Sequence, residues 1–419
     1  MNPAPAMSAA QAEDYLRSLE LFGMRFGLDR MRRLMTALGH PERQFRSVHV
    51  VGTNGKSSTT RMIAAILRAH GLRTGAYLSP HLVSFGERIR IDDHDLEPDR
   101  FGAAVARAAR AAEIVDRAGT EDDRVTQFEA LTAAAYDELA RRGVEAAVIE
   151  AGLGGRYDAT SVIPSAVQVL TSVGLEHTRW LGPTLTDIAG EKLAVVKPGA
   201  TLVLGAGLAP EVQAVARDRA SEQEAEIVWA GVDPGVSVGA PGAYQRRNFA
   251  LARAAAQALL GELDPDAVAA AGRQIRVPGR LQEVASAPRT LLDGAHNPDG
   301  MQALVEALEE LATPDQPIVA CVSILDDKDA AAMLAALLPV CAAVVFTSSG
   351  HPRALPPPTL QSLAGQLSGP ASEVVADPGR ALGRARELAG RDGLVVATGS
   401  LYLIADLLAP TAQAQARAR

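Results

Sequence analysis

Residues Val48 to Ser58 constrain the architecture more tightly than any other stretch. The apolar run Val48–Val51 leads directly into Gly52-Thr53-Asn54-Gly55-Lys56-Ser57-Ser58, and a helical pattern then runs from Ser57 to His70. Met62, Ile63, Ile66 and Leu67 fall on one face of that helix, as expected for a helix laid on a core. A strand that turns through glycines straight into a helix is the first half of a βαβ unit, which commits the chain to a parallel α/β sheet. The loop also carries chemistry. Its glycines allow backbone N–H groups to face an anion, and the helix N-terminus adds a favourable dipole. Lys56 can reach terminal phosphates, and a hydroxyl from Ser57 or Ser58 can meet a metal ion. Only Thr53 and Asn54 stand between the glycines, so the loop is shorter than the common phosphate loop. The plain alternative is a glycine-containing turn with a solvated lysine. The flanking strand and helix favour the phosphate loop.

The alternation continues. Val144–Ile149 and Ala166–Val173 read as buried strands, the first interrupted only by Glu145. After Pro278 the pattern restarts with Thr290–Leu292, a helix from Pro298, then Ile318–Ile324, Ala342–Phe346 and Gly393–Thr398. Val232–Ala243 is rich in Gly, Pro and Val and reads as a turn-laden, β-like insertion before a helix at Tyr244–Leu260. Turn residues at Val277-Pro278-Gly279 place a boundary there. The expected domains are 1–277, holding the phosphate loop, and 278–419, a smaller Rossmann-like α/β domain.

With 419 residues, 47% hydrophobic and 21% charged, the chain is long enough for two cores. A net charge of -8 gives no support to a nucleic-acid partner. Cys321 and Cys341 suggest neither a disulfide framework nor a zinc site, so a reducing cytoplasm is expected. Met1–Ala10 lacks a secretory pattern and reads as a frayed tail, and no apolar run reaches membrane-spanning length.

In open parallel sheets ligands sit beyond the carboxyl ends of the strands. Glu150 ends one apolar run and precedes Gly152, Gly154 and Gly155; a carboxylate there suits magnesium, and otherwise simply starts a loop. The glycine run is not a dinucleotide fingerprint, since no helical pattern follows it. His177 follows the next strand and reads equally as a metal ligand or a structural hydrogen-bonding residue. In the helical segment Leu185–Val196, Lys192 lies seven residues after Leu185 and so on the apolar stripe. A buried ammonium is costly unless paired or altered, for instance by carbamylation into an anionic metal ligand; the alternative is that Lys192 snorkels to water. In the second domain, Asn297 and Pro298 are explained as a helix cap and first turn, whereas Asp293 and His296 are not.

Taken together, several segments resemble the folylpolyglutamate synthases, including the bifunctional bacterial type that is also dihydrofolate synthase, within the Mur ligase superfamily. They are the loop from Gly52, Leu78-Ser79-Pro80-His81-Leu82, Glu150 to Asp158, Leu175-Glu176-His177, Glu191-Lys192, Pro278-Gly279-Arg280, Asp293 to Pro298 and Gly399-Ser400-Leu401-Tyr402-Leu403. The resemblance spans about Tyr15 to Leu408. It implies ATP-dependent ligation of L-glutamate to a folate or dihydropteroate through an acyl phosphate, by a monomeric cytoplasmic enzyme with no nucleic-acid or membrane partner. Thr53, Asn54, Gly55, Lys56, Ser57 and Ser58 would hold ATP phosphates, with Asn248 on adenine and Arg280 and Asp293 on the nucleotide. Ser79 and Glu150 would hold one Mg2+, and His177 with carbamylated Lys192 a second. Lys56, Lys192 and His296 take the catalytic roles, His296 near the γ-phosphate. Phe128 would meet the pterin and Ser400 the glutamate. One departure is Ser57, which stands where the family usually has glycine before its serine. Another Mur-type amino-acid ligase, acting on a different carboxylate, is the alternative.

Overall fold

The computed structural model describes residues 7–19, 27–120 and 123–417. They form two compact units, one of Met1–Val238 with Arg247–Ile275 and one of Gly239–Arg246 with Arg276–Arg419.

The first unit is built on an eight-stranded sheet in the order β4-β3-β2-β5-β1-β6-β7-β8. In chain order these are β1 (Arg46–Val51), β2 (Thr74–Tyr77), β3 (Ile89–Ile91), β4 (His94–Asp95), β5 (Ala146–Glu150), β6 (Val167–Leu170), β7 (Thr201–Leu204) and β8 (Glu226–Trp229). Neighbours from β2 through β8 pair in parallel, while β3 and β4 add an antiparallel edge. Strand β5 is buried along its whole length, which explains its unbroken apolar run. Strand β1 sits between β5 and β6, where the chain changes its direction of travel across the sheet. Such a switch point opens a ligand crevice at the strand ends.

Helices Pro98–Ala118 and Gln127–Arg141, with Ala9–Ser18 and Asp29–Ala37, cover one side of this sheet around Tyr77, Tyr136, Ala147 and Ile149. The helix Ala9–Ser18 corrects the reading of Met1–Ala10 as a tail: Ser8 and Gln11 form a reciprocal capping box that starts it, and residues 1–6 lie outside the described residues. Buried Arg30 donates to both oxygens of buried Glu129, at 3.1 and 3.2 Å, and thereby ties the helix Asp29–Ala37 to the first turn that carries Phe128. Its Nη1 also reaches Asp123. Replacing Glu129 with Ala removes one of the two carboxylates that answer this buried cation, leaving Asp123, and should destabilise the unit by about 2 kcal/mol, measured as a shift in urea midpoint at unchanged slope.

The second unit carries a six-stranded sheet in the order β13-β12-β11-β14-β10-β9. Its strands are β9 (Gln282–Ser286), β10 (Arg289–Leu292), β11 (Ile318–Val322), β12 (Ala343–Phe346), β13 (Ala371–Val374) and β14 (Leu394–Thr398), all parallel except β9. The helix Pro298–Leu311 packs Met301, Leu304 and Leu308 into its core, which Tyr244 also joins.

Residues 232–242 contain no strand and run through bends, and Ala243 opens the helix Ala243–Leu260. Gly235 (φ 67°) and Gly242 (φ 92°) take left-handed conformations incompatible with a sheet ladder, and Arg253 ties the loop down by donating to the Pro234 carbonyl.

Candidate functional site

The phosphate-type loop is clamped to the end of β6. Thr53 N donates to the Ser172 carbonyl at 2.8 Å, Asn54 N to Ser172 Oγ at 2.9 Å, and Thr171 Oγ1 to the Asn54 carbonyl at 2.6 Å. Thr53 Oγ1 accepts from Gly174 N at 3.0 Å. A Cβ on Gly52 would stand 1.9 Å from Thr171 Oγ1, so this position admits glycine alone. Gly55 caps the helix Lys56–Ala69 in a left-handed conformation (φ 84°), with Asn248 directly against it: a Cβ there would meet Asn248 Oδ1 at 2.7 Å. Asn248 is thus beside the loop although it is far away in sequence.

Two lysines converge on one carbonyl. Lys56 Nζ donates to the Gly52 carbonyl at 2.9 Å and to that of Thr53 at 3.1 Å. Lys192 Nζ donates to the same Gly52 carbonyl at 2.9 Å. Lys192 is 4% exposed on the helix Leu185–Leu193, so it stays in the apolar stripe and does not snorkel. Burial, and then the neighbouring Lys56 charge, push its ammonium down to about 7, against a smaller opposing pull from Glu176 and Asp158.

Glu150, 1% exposed at the end of β5, also meets the loop. Its Oε1 accepts from Ser57 Oγ at 2.8 Å and its Oε2 from Ser79 N at 3.1 Å. Of the two loop serines, Ser57 therefore faces the carboxylate, and Ser58 is buried at the foot of the helix. Glu150 with the Ser57 hydroxyl is a set of hard oxygens that suits Mg2+. His177 is elsewhere in character. It takes a left-handed conformation at the cap of the helix Thr178–Leu181, its side chain is 41% exposed, and its Nε2 lies 3.9 Å from Glu176. Among the described residues no cluster of three or more His, Cys, Asp or Glu side chains is arranged to hold a metal ion. A second ion at Lys192 thus requires the amine to be converted to a ligand.

Phe128 stands in the first turn of its helix, 6.1 Å from the Tyr77 ring and pressed onto Gly152, where a Cβ would be 2.7 Å from Phe128 Cζ. Gly155 allows the same loop to lie on the carbonyls of Glu191 and Lys192, 2.8 and 2.6 Å from where its Cβ would stand. The loop after Glu150 therefore joins the Phe128 region to the Lys192 helix.

In the second unit, Asp293 is buried at the end of β10 with both oxygens engaged. Oδ1 accepts from Ala295 N at 2.9 Å; Oδ2 accepts from Leu281 N at 2.9 Å and Tyr244 Oη at 3.0 Å. Burial raises its carboxyl, and Arg280 foremost pulls it back. Arg280 crosses over Gly294, where a Cβ would meet its Nη1 at 2.4 Å. His296 Nδ1 lies 2.8 Å from the Gly294 carbonyl, an acceptor, so this nitrogen carries the proton. Asn297 caps the next helix through Gly300 N at 2.8 Å. Ser400 is buried and its Oγ accepts from Tyr402 N at 3.1 Å, a capping role at the start of the helix Leu401–Arg417. Sequence reasoning missed Thr171, Ser172 and Tyr244, which carry no local motif.

Comparison with known proteins sets this geometry in context. Residues 279–401 match the family model described as "Mur ligase, glutamate ligase domain". The chain is 34% identical over 96% of its length to a probable bifunctional folylpolyglutamate synthase/dihydropteroate synthase of Haloferax volcanii, of which it spans 50%. It is 35% identical, over 82% of its length and 78% of the relative's, to the dihydrofolate synthase/folylpolyglutamate synthase of Mycobacterium tuberculosis. Its structure superposes on that of "E.coli FolC in complex with DHPP and ADP" with a TM-score of 0.87 and 27% identity, covering 100% of both chains. No helix of the described residues is long and apolar enough to cross a membrane.

Proposed function

Since the chain belongs to the folylpolyglutamate synthase/dihydrofolate synthase family of Mur-type ligases, which use ATP to join glutamate to a folate, we propose that it adds L-glutamate to both dihydropteroate and tetrahydrofolate. The observation that carries this reading is the convergence of Lys56 and Lys192 on the Gly52 carbonyl, within one loop of the Glu150–Ser57 pair.

In this reading the loop amides and Lys56 hold the β- and γ-phosphates of ATP, and Asn248 beside Gly55 meets the adenine. The substrate carboxylate attacks the γ-phosphorus, ADP leaves, and an acyl phosphate results. The glutamate amine then attacks the acyl carbon, forming the amide and releasing phosphate. Both steps crowd anions together, so the fixed positive charge of Lys56 lowers their mutual repulsion while the rigid loop sets their alignment. Mg2+ held by Glu150, Ser57 and Ser79 would neutralise phosphate charge. Lys192, with an amine titrating near neutrality, would take up carbon dioxide with loss of a proton, and its carbamate together with His177 would be the groups to hold a second cation. Phe128 offers its ring to the pteridine. In the second unit Arg280 and His296 serve the nucleotide phosphates. Asp293, whose oxygens are occupied by Tyr244, Leu281 and Ala295, holds the backbone on which both depend. Ser400 stands by the glutamate site.

Ligand protection against heat discriminates this reading from a cell-wall ligase of the same fold. Dihydropteroate or tetrahydrofolate, added with ADP and Mg2+ at about a hundred times Kd, should stabilise the protein by about 2.7 kcal/mol. Protection by a UDP-sugar peptide and by neither pteridine would reverse the assignment.

A further inference from the structure

His49 and Thr160 take no part in the chemistry above, yet both are fully buried behind it, His49 on β1 and Thr160 in the turn Ala159–Val162. His49 Nε2 stands 2.8 Å from Thr160 Oγ1, and the Thr160 hydroxyl donates to Asp158 Oδ1. Tyr136 Oη donates to the Thr160 carbonyl at 2.9 Å and fixes the backbone there. Asp158 is buried too; its Oδ1 accepts from Thr160 N at 3.0 Å and its Oδ2 from Leu153 N at 2.8 Å.

Proton counting gives this chain a direction. A threonine hydroxyl has one proton to donate. Burial, the largest influence, holds the Asp158 carboxyl above its ordinary value, against smaller opposing pulls from the Thr160 hydroxyl and the amides of Leu153, Thr160 and Gly152. Both Asp158 oxygens accept, from Leu153 N and from Thr160 N and its hydroxyl, so the Thr160 proton points to Asp158 and the contact with His49 requires the proton on Nε2. The remaining nitrogen, Nδ1, is buried with no hydrogen-bond partner. A bare lone pair is tolerated in such a place more readily than an N–H without an acceptor. Burial, and then the Lys197 charge, hold the His49 imidazole down to about 3, so the ring is neutral, and the Thr160 contact fixes its tautomer.

Through Leu153 N, Asp158 anchors the loop whose Gly152 lies against the face of Phe128. We infer that His49 and Thr160 are positioning residues: a one-way chain from His49 Nε2–H through the Thr160 hydroxyl to Asp158 sets the Gly152–Asp158 loop, and with it the angle at which Phe128 meets the substrate's aromatic ring. This inference rests on the proposed pteridine role of Phe128.

The test is steady-state kinetics on the full-length enzyme. Thr160→Val should raise KM for the pteridine about tenfold and leave KM for ATP within about twofold, as expected for losing a buried hydrogen bond. Thr160→Ser, which restores the hydroxyl, should return KM to within about twofold of wild type. His49→Leu should shift the same KM, and the double variant should be no worse than Thr160→Val alone, because both act on one chain. Equal losses for both substrates with a fall in Tm would reduce the chain to a stability element and overturn the inference. Independently of any activity, the imidazole 15N spectrum should show His49 protonated on Nε2 from about pH 5 to pH 8; protonation on Nδ1 would overturn the chain. A wild-type enzyme inactive on every pteridine would sink the ligase reading and the Phe128 role with it, while the tautomer still reads the chain itself.

Discussion

Replacing Lys56 with Ala lowers kcat by roughly 10²- to 10³-fold, the loss typical of removing one preorganised charge from a developing anion. The expectation follows from how the side chain is held. Its Nζ is fixed by two carbonyls of its own loop, those of Gly52 and Thr53, so the charge is in place before any nucleotide arrives. The loop does not depend on it for shape, because Thr171, Ser172 and Gly174 clamp the backbone independently. Thermal stability should therefore remain near wild type while turnover collapses. Arg at this position keeps the charge but not the compact ammonium that fits between two carbonyls, and should restore little. Steady-state rates beside a melting curve check both halves, and wild-type turnover in Lys56→Ala would remove the lysine from the mechanism.

Lys192→Met should separate activity from stability in opposite directions. Turnover should fall by about 10³-fold or more, since the variant loses both the cation and any carbamate formed on it. The ligand-free protein should become more stable. Lys192 titrates at about 7 in the folded protein and at its ordinary 10.5 when unfolded. Below about 7 both states carry the proton, and the folded state bears the full cost of a buried cation. Between about 7 and 10.5 the unfolded state binds more protons, so folding stability rises with pH. The stabilising effect of Lys192→Met should thus be largest below pH 7 and fade toward pH 10.5. Melting temperatures of both proteins across that range decide it, and a difference independent of pH would mean that Lys192 is not a buried titrating amine. Depleting carbon dioxide should lower wild-type turnover and leave the variant unchanged.

Much of this site is legible in the sequence because it rests on local periodicity. Lys192 betrays itself by standing seven residues from Leu185 on an apolar helical face, and it is buried there. The phosphate-type loop is flanked by the strand and helix that its glycines demand. Other features depend on which strand ends meet and leave no local trace. Thr171 and Ser172 look like ordinary residues after an apolar run, yet they shape the loop across the β1–β6 pairing. Tyr244 precedes Asp293 by 49 positions and meets it only because Gly239–Arg246 belongs to the second unit. The edge strands escape sequence reading for a related reason: β4 is two residues long and exposed, and β9 carries Gln282, Glu283 and Ser286 without the unbroken apolar run of a central strand. Val232–Ala243 misleads because Val and Gly suit both strands and turns, and its left-handed glycines settle it as a loop.

The most direct measurement incubates the purified protein with ATP, Mg2+ and glutamate, offers dihydropteroate in one reaction and tetrahydrofolate in another, and reads the products by mass spectrometry. The expected result is a gain of one glutamate residue on dihydropteroate and of at least one on tetrahydrofolate, with ADP and phosphate released in step. A gain on one substrate alone would narrow the enzyme to that half of the activity. No gain on either, from folded protein that still binds ATP, would contradict the assignment and direct attention to other carboxylates ligated by Mur-type enzymes.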